Sequence, residues 1–312
     1  MLDPWWDTYI LKLNACGEEE WCKIFHIPQD WEFGLDIKKI PGGNVIALVM
    51  YHGTNSHDER IWLFKLTPDG ELIWQKLYAQ SDPKLFNEDP NEIIITSDTN
   101  LLITGMCYYP NPGQVDPGWI RPYWIKVDSS GNELWELPWG IEEYFYGIAF
   151  YSKQDQYNNY YSVGKHIEIV AKNEMDHPAL FKISNNGEQL YYKDIVSFSE
   201  YGMATTLDFL NDSTLVVGAS WCMTLDTCYK NCYLLDTLGN IINERTLIVS
   251  LSNIIGADIT HDGKIVMTGG FCLDGNCDIY LWKMNSNLEF DTLYNGQYEY
   301  DTLCPYPIAS DK

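Results

Sequence analysis

Apolar and polar positions alternate along this chain in short bursts, and one burst recurs six times. Four to six apolar or aromatic residues lead into a polar cluster holding Gly or Asn, and a second apolar stretch follows. The copies read YILKLNACGEEEW from Tyr9, WLFKLTPDGELIW from Trp62, YWIKVDSSGNELW from Tyr123, ALFKISNNGEQLYY from Ala179, CYLLDTLGNIINE from Cys232 and YLWKMNSNLEFDT from Tyr280. This is the pattern of two antiparallel strands around a tight turn, where Gly or Asn supplies the positive φ that other residues avoid. The turn residues are Gly17, Gly70, Gly131, Gly187, Gly239 and, in the last copy, Asn287. Lys12, Lys65, Lys126, Lys182 and Lys283 hold equivalent places before the turn and read as outward side chains on an exposed strand.

Upstream of five of the hairpins lies a second recurrent phrase rich in Val and Ile. It begins at Gly42, Thr99, His166, Asp212 and Asp262, and it reads as a buried central strand, too short for a helix and bounded by turn residues. A further strand is expected before each, over Phe33 to Ile40, Asn91 to Ser97, Tyr144 to Tyr151, Tyr201 to Phe209 and Ile254 to Thr260. Four strands per unit, repeated about every 50 residues, is the make-up of a propeller blade.

The expected fold class is therefore all-β, a β-propeller of four-stranded antiparallel blades in one domain over residues 1–312. Five complete units and one outer hairpin (Met1 to Phe25) are visible, so the residues around Tyr298 to Ile308 are expected to close or flank the terminal blade. Six blades is the expected count. Seven would follow if the abrupt start at Leu2-Asp3-Pro4 marks a trimmed natural protein.

Composition narrows the functional classes. With 44 acidic against 20 basic residues, the net charge is -24, and no basic cluster offsets it, which argues against nucleic acid and anionic membranes as partners. No apolar stretch approaches the length of a spanning helix, so membrane insertion is not expected. The 12 Trp and 22 Tyr fall mostly at repeated strand positions, where their rings are expected to fill the wedge between blades.

Nine cysteines bear on compartment. Cys16 and Cys22 straddle the first hairpin turn, while Cys222 with Cys228 and Cys272 with Cys277 follow central strands one unit apart, which suggests short-range disulfides and an oxidising compartment. A zinc site from Cys222, Cys228, Cys232 and His261 is the rival reading, although the spacings suit it poorly. The N-terminus lacks the form of a signal peptide, so a secreted protein would have lost its signal from this chain.

Candidate chemistry is thin. Asp274, Asn276 and Asp278 lie in the loop bounded by Cys272 and Cys277 and offer oxygen ligands to calcium, which is otherwise the only cofactor suggested. Ser56, His57 and Asp58 are adjacent, but adjacency is not triad geometry and no nucleophile elbow is present. More informative are two segments read as long aromatic loops, Cys107 to Pro122 and Tyr151 to Tyr161. They nominate Tyr108, Tyr109, Trp119, Arg121, Tyr157 and Tyr160 as a surface for a glycan or a protein.

The run DSSGNELW from Asp128, preceded by YWIKV, the phrase DGKIVMTGG from Asp262 and the tail YDTLCPYPIASD from Tyr300 resemble secreted propeller-like repeat proteins of Bacteroidetes. Many of those carry a sorting domain for type IX secretion. The resemblance covers essentially the whole chain and implies a secreted or cell-surface location, with no catalytic residues to carry over. The hairpin phrase also resembles the outer-strand repeat of quinone-dependent dehydrogenase propellers, through Asp128, Gly131 and Trp135, with Ser130 departing from their pattern. The function expected is a monomeric, non-enzymatic scaffold that binds a protein or glycan at the cell surface. The alternatives are a carbohydrate-active hydrolase or lyase on the same fold, with two carboxylates or a His and Tyr pair at the axial end, and a calcium-dependent adhesion module.

Overall fold

The structure is a computed structural model that describes residues 7–291 apart from 29, 54–58, 79–85, 111, 114–118, 171–172, 225–226, 250–253 and 274–275. The described residues are all-β, built as a β-propeller of antiparallel blades. A hairpin, β1 (Thr8–Leu13) and β2 (Glu19–Phe25), comes first. Blade I follows with β3 (Trp31–Lys39), β4 (Val45–His52), β5 (Glu59–Leu66) and β6 (Leu72–Leu77). Blade II holds β7 (Phe86–Ile95), β8 (Leu101–Tyr109), β9 (Trp119–Val127) and β10 (Glu133–Pro138). Blade III holds β11 (Gly147–Gln154), β12 (Tyr160–Val170), β13 (Asn173–Ile183) and β14 (Gln189–Asp194). Blade IV holds β15 (Tyr201–Asn211), β16 (Thr214–Thr224), β17 (Thr227–Asp236) and β18 (Ile241–Val249). Blade V has β19 (Ile254–Ile259), β20 (Ile265–Leu273) and β21 (Asn276–Met284), and a bridge from Met284 to Phe290 begins its outer edge.

Among the described residues there are thus five blades, which corrects the expected six or seven. The N-terminal hairpin pairs only with itself here, and the segment expected to complete it, 298–312, lies outside the described residues.

Each seam between neighbours is one apolar cluster. Ile46 and Leu48 of β4 face blade II, whereas Ala47 and Val49 of the same strand face the hairpin, packing with Ile10. Likewise Leu101 and Ile103 point to one seam and Leu102 to the other. A central strand buried on both faces has no polar side to show, which is why these strands read as unbroken Val, Ile and Leu runs.

The recurrent hairpin also explains how blades lock together. Trp21 of the hairpin lies over Gly70 of blade I, where a Cβ would sit 2.8 Å from the ring, and its indole N–H donates to the Pro68 carbonyl at 3.1 Å. Gly70 has φ of 80°, so both the turn and the close approach require glycine. Trp74 repeats the contact on Gly131, and Trp135 on Gly187. Three of the five periodic lysines join this clasp, which corrects their outward reading, while Lys182 and Lys283 pair with Asp155 and Asp262 of their own blades. Lys12 donates to Pro68 O, Lys65 to Ser129 O and Lys126 to Asn185 Oδ1, each reaching the turn of the next blade. The last turn departs from expectation as well. The backbone N–H of Leu288 closes it, with φ of 62°, so Leu288 and not Asn287 takes the glycine's place.

Two further strands differ from the sequence reading. The central strand of blade III starts at Tyr160 instead of His166, and the supposed long loop before it is a tight turn in which Asp155 accepts from the backbone of Tyr157 and Asn159. Strand β7 starts at Phe86 instead of Asn91, drawing the acidic run Glu88-Asp89-Pro90 into the innermost strand of blade II. Proline is tolerated there because an innermost strand is a sheet edge, with one row of backbone groups outside the ladder.

Candidate functional site

In each complete blade the first strand is innermost and the next runs antiparallel to it. The connections between second and third strands therefore emerge on the same face as the entry to each first strand. On this face, blade I presents one rung across three strands: Trp31 on β3 pairs with His52 on β4, which pairs with Glu59 on β5. Cross-strand partners share a side of the sheet, so their side chains meet. The Trp31 and His52 rings stack with centroids 5.2 Å apart, and His52 Nδ1 lies 3.2 Å from Glu59 Oε1.

Blade II meets this rung through a bulge. Asn87, with φ of 48°, is the extra residue between Phe86 and Glu88, and its Oδ1 accepts from the Glu59 backbone N–H at 3.4 Å. Asn tolerates that conformation better than most side chains, and such bulges re-aim the residues beside them. Asp89 follows. Burial, reinforced by the Glu59 carboxylate and opposed by His52, pushes the Asp89 carboxyl up to about 6. Burial also raises the Tyr108 phenol, with Glu59 and Asp89 adding to it. One raised acid and a second carboxylate held by imidazole, with the Trp31 ring stacked on that imidazole, therefore act on each other between blades I and II.

A second set of acids lines the channel wall lower down the innermost strands. Asp36 of blade I accepts the Ile93 N–H of blade II at 3.2 Å and pairs with Lys38 at 2.9 Å. Glu92 of blade II accepts the Ser152 N–H of blade III at 2.6 Å, and Lys153 of blade III reaches Asp208 of blade IV at 3.4 Å. Burial raises Glu92 to about 7, while the Ser152 N–H and Lys38 act against it. Asp36 and Glu92 thus bind blade to blade, each accepting a backbone N–H of the neighbouring innermost strand. Glu88, buried behind the upper site, is raised to about 8 by burial and by Glu136.

The residues nominated as a ligand surface are divided by the structure. Tyr108 and Trp119, the latter 36% exposed, line a groove of about 240 Å³ with Ile120, Tyr146, Ile167 and Ile169. Tyr109, which alternates with Tyr108, and Arg121, one pleat deeper than Trp119, are both buried. Arg121 donates to the carbonyls of Trp139, Gly140 and Glu143, so it holds a connection and does not present itself to a ligand. Tyr160 is buried as well, its hydroxyl on Asn185 Oδ1 at 2.8 Å. Tyr157, 74% exposed, sits on a turn at the opposite face of the propeller from Tyr108. The nominated set is therefore not one surface.

Among the cysteines, Cys222 and Cys228 form a disulfide between register partners of β16 and β17, which removes two ligands from the zinc alternative. Cys16 and Cys22 are thiols, not the expected disulfide: Cys22 faces Leu11 across the hairpin, while Cys16 lies in its turn. Cys272 and Cys277 are register partners like Cys222 and Cys228, but their side chains lie outside the described residues. So do Asp274 and the side chains of Asn276 and Asp278, and so do Ser56, His57 and Asp58. No helix among the described residues is long and apolar enough to cross a membrane.

No family model matches the chain, and no curated protein matches its sequence. Solved structures do match its architecture. A Dyadobacter fermentans protein of unknown function is similar over 84% of this chain and 85% of its own, at 13% identity and a TM-score of 0.55. An α-L-arabinofuranosidase of Fusarium graminearum, crystallised with an iminosugar inhibitor, is similar over 82% and 76%, at 11% identity and 0.50. An endo-arabinase of Bacteroides thetaiotaomicron follows with 80% and 92%, at 9% identity and 0.47. At such identities the likeness defines a class by fold alone, the β-propellers, and it bears out the propeller part of the resemblance read from the repeat.

Proposed function

We propose that this propeller is a carbohydrate-active hydrolase working at the seam of blades I and II. One observation carries the reading: Asp89, raised to about 6 by burial and by the Glu59 carboxylate, has as its charged neighbours that carboxylate and His52, which is paired with Glu59 and stacked on Trp31. Glycoside hydrolysis asks for two carboxyls in different protonation states, a protonated acid for the leaving oxygen and a carboxylate for water or the anomeric carbon. Asp89 takes the first role and Glu59 the second. His52 positions Glu59, and the exposed part of Trp31 receives the apolar face of a sugar ring. The Cys222–Cys228 disulfide suits work outside the cell, where such bonds persist, and the type IX route of the resembling proteins is the export path to examine.

Release of reducing sugar from a panel of glycosides and polysaccharides tests this. Arabinofuranosides head the panel because the Fusarium arabinofuranosidase shares the fold. Hydrolysis that falls by roughly 10³-fold in Asp89→Asn is the result expected of a general acid. Absence of turnover across the panel, or full activity in the variant, overturns it.

The second reading is a scaffold that binds a glycan without cleaving it. The groove of Tyr108, Trp119, Ile120 and Tyr146 favours it, because aromatic walls bind sugars whether or not an acid is at hand. Saturable binding with no release of sugar identifies that case.

A further inference from the structure

The N-terminal hairpin is fastened at its turn end by Trp21 and Lys12 on the Pro68 turn, and its open end holds a different kind of group. Asp7 precedes β1, His26 follows β2, and Glu32 is the second residue of β3, the innermost strand of blade I. One ligand atom from each lies within 4.8 Å of the others. His26 Nδ1 is 2.7 Å from Asp7 Oδ1. Glu32 is 2% exposed. Its Oε1 accepts the Ile27 N–H at 3.1 Å, while Oε2 is buried with no hydrogen-bond partner. Thr8 Oγ1 is a second buried oxygen without a partner, and it lines the same cavity of about 540 Å³ together with Asp7, Tyr9, Glu32, Phe33 and Gly34. A buried carboxylate oxygen left without a donor is costly unless something positive comes to it. Asp30, bound to the Tyr51 hydroxyl at 2.8 Å, adds another carboxylate nearby, so the site is short of positive charge.

We propose that Asp7, His26 and Glu32 bind a divalent first-row transition-metal ion that clips the open end of the hairpin to blade I. One imidazole nitrogen and two carboxylate oxygens select borderline ions such as Mn²⁺ and Zn²⁺ over Ca²⁺, which prefers a shell of oxygens. The cavity beside the cluster leaves room for water ligands and a path of entry. The site is separate from the His52 and Glu59 rung: it uses the hairpin side of blade I, whereas the rung meets blade II. It also shares no residue with the set Asp274, Asn276 and Asp278.

The experiment is a titration of the full chain, stripped with chelator, with MnCl₂, following free Mn²⁺ by electron paramagnetic resonance and reading nitrogen coupling on the bound ion. Mn²⁺ is the probe because the exposed thiols of Cys16 and Cys22 would also take Zn²⁺. One ion per chain with imidazole nitrogen coupling is expected. His26→Ala and the near-isosteric Glu32→Gln each weaken it more than about tenfold, the loss that even an outer partner of a ligand can cause. Asp278→Asn leaves it unchanged, and CaCl₂ does not compete. Circular dichroism of each variant separates lost ligation from lost fold. No binding at millimolar Mn²⁺, bound Mn²⁺ without nitrogen coupling, or undiminished binding in folded Glu32→Gln overturns the proposal.

Discussion

Two pairs of carboxyls on the first two blades make opposite use of the same chemistry. Asp36 and Glu92 sit on the channel wall, and both have one oxygen on a backbone N–H of the next blade, Ile93 and Ser152. Glu59 and Asp89 sit at the upper rim, where Glu59 answers to His52 and Asp89 is raised to about 6. The wall pair also follows bulges, at the register shifts between Gly34 and Asp36 and between Pro90 and Glu92, but there its oxygens are taken by the neighbouring backbone. The rim pair resides at a bulge, where Asn87 turns the strand and brings acids of two blades together. Burial raises acids in both places, so a raised carboxyl alone does not mark a site. What separates them is whether the oxygens are already spent on the fold.

The largest expected effect tests that division directly. Asp89→Asn should cut hydrolysis by roughly 10³-fold, the contribution typical of a positioned acid, while the denaturant midpoint stays within error of the parent. Because Asp89 donates its proton, the rate should fall as pH rises through about 6. A variant that instead unfolds early would make the rim pair structural like the wall pair and erase the comparison.

The wall pair should give the reverse. Asp36→Ala removes the acceptor for Ile93 N–H and the partner of Lys38, a charge-assisted contact for which about 2 kcal/mol is expected. Urea unfolding should show that loss, with activity per folded molecule unchanged. Activity that vanishes in a stably folded Asp36→Ala protein would move the chemistry down the channel.

Much of the fold and little of the site can be read in the residues alone. The hairpin phrase marks itself because Gly70, Gly131 and Gly187 must accept both positive φ and an indole from the blade before, so turn and packing demand the same residue. The site was hidden by the opposite circumstance. Glu88-Asp89-Pro90 has the composition of a solvated loop, and only the burial of those acids on an edge strand reveals a strand there. Tyr108 and Tyr109 were nominated together as loop residues, but strand alternation sends one to a groove and the other to the core. Leu288 conceals a glycine-like turn because a buried contact holds a residue that conformational preference disfavours.

At the rim, Trp31→Ala should act on binding more than on chemistry. The ring is 39% exposed and stacks on His52, so its loss removes a sugar platform while Glu59 and Asp89 stay in place. A rise in KM of about tenfold with kcat within a few-fold is expected, the size of an aromatic contact of 1 to 1.5 kcal/mol. An equal fall in kcat would mean that Trp31 positions His52 instead, a role that Trp31→Phe should rescue.

The most gradual effect is the pH dependence of the wall. Glu92 is raised from an ordinary value near 4.5 to about 7, so between those values the folded chain holds a proton that the unfolded chain has released. Stability therefore falls as pH rises from 4.5 to 7, and the contribution is fully present only below that window. The Ser152 N–H, Lys38 and Lys153 offset part of the cost of the charged form, which narrows the window from above. Glu92→Gln cannot ionise, so its stability measured against the parent should improve across this window even if it starts lower at pH 4. Parallel curves for the two proteins would mean that Glu92 ionises alike in the folded and unfolded chain, and the Ser152 N–H and the lysines would then fully offset its burial.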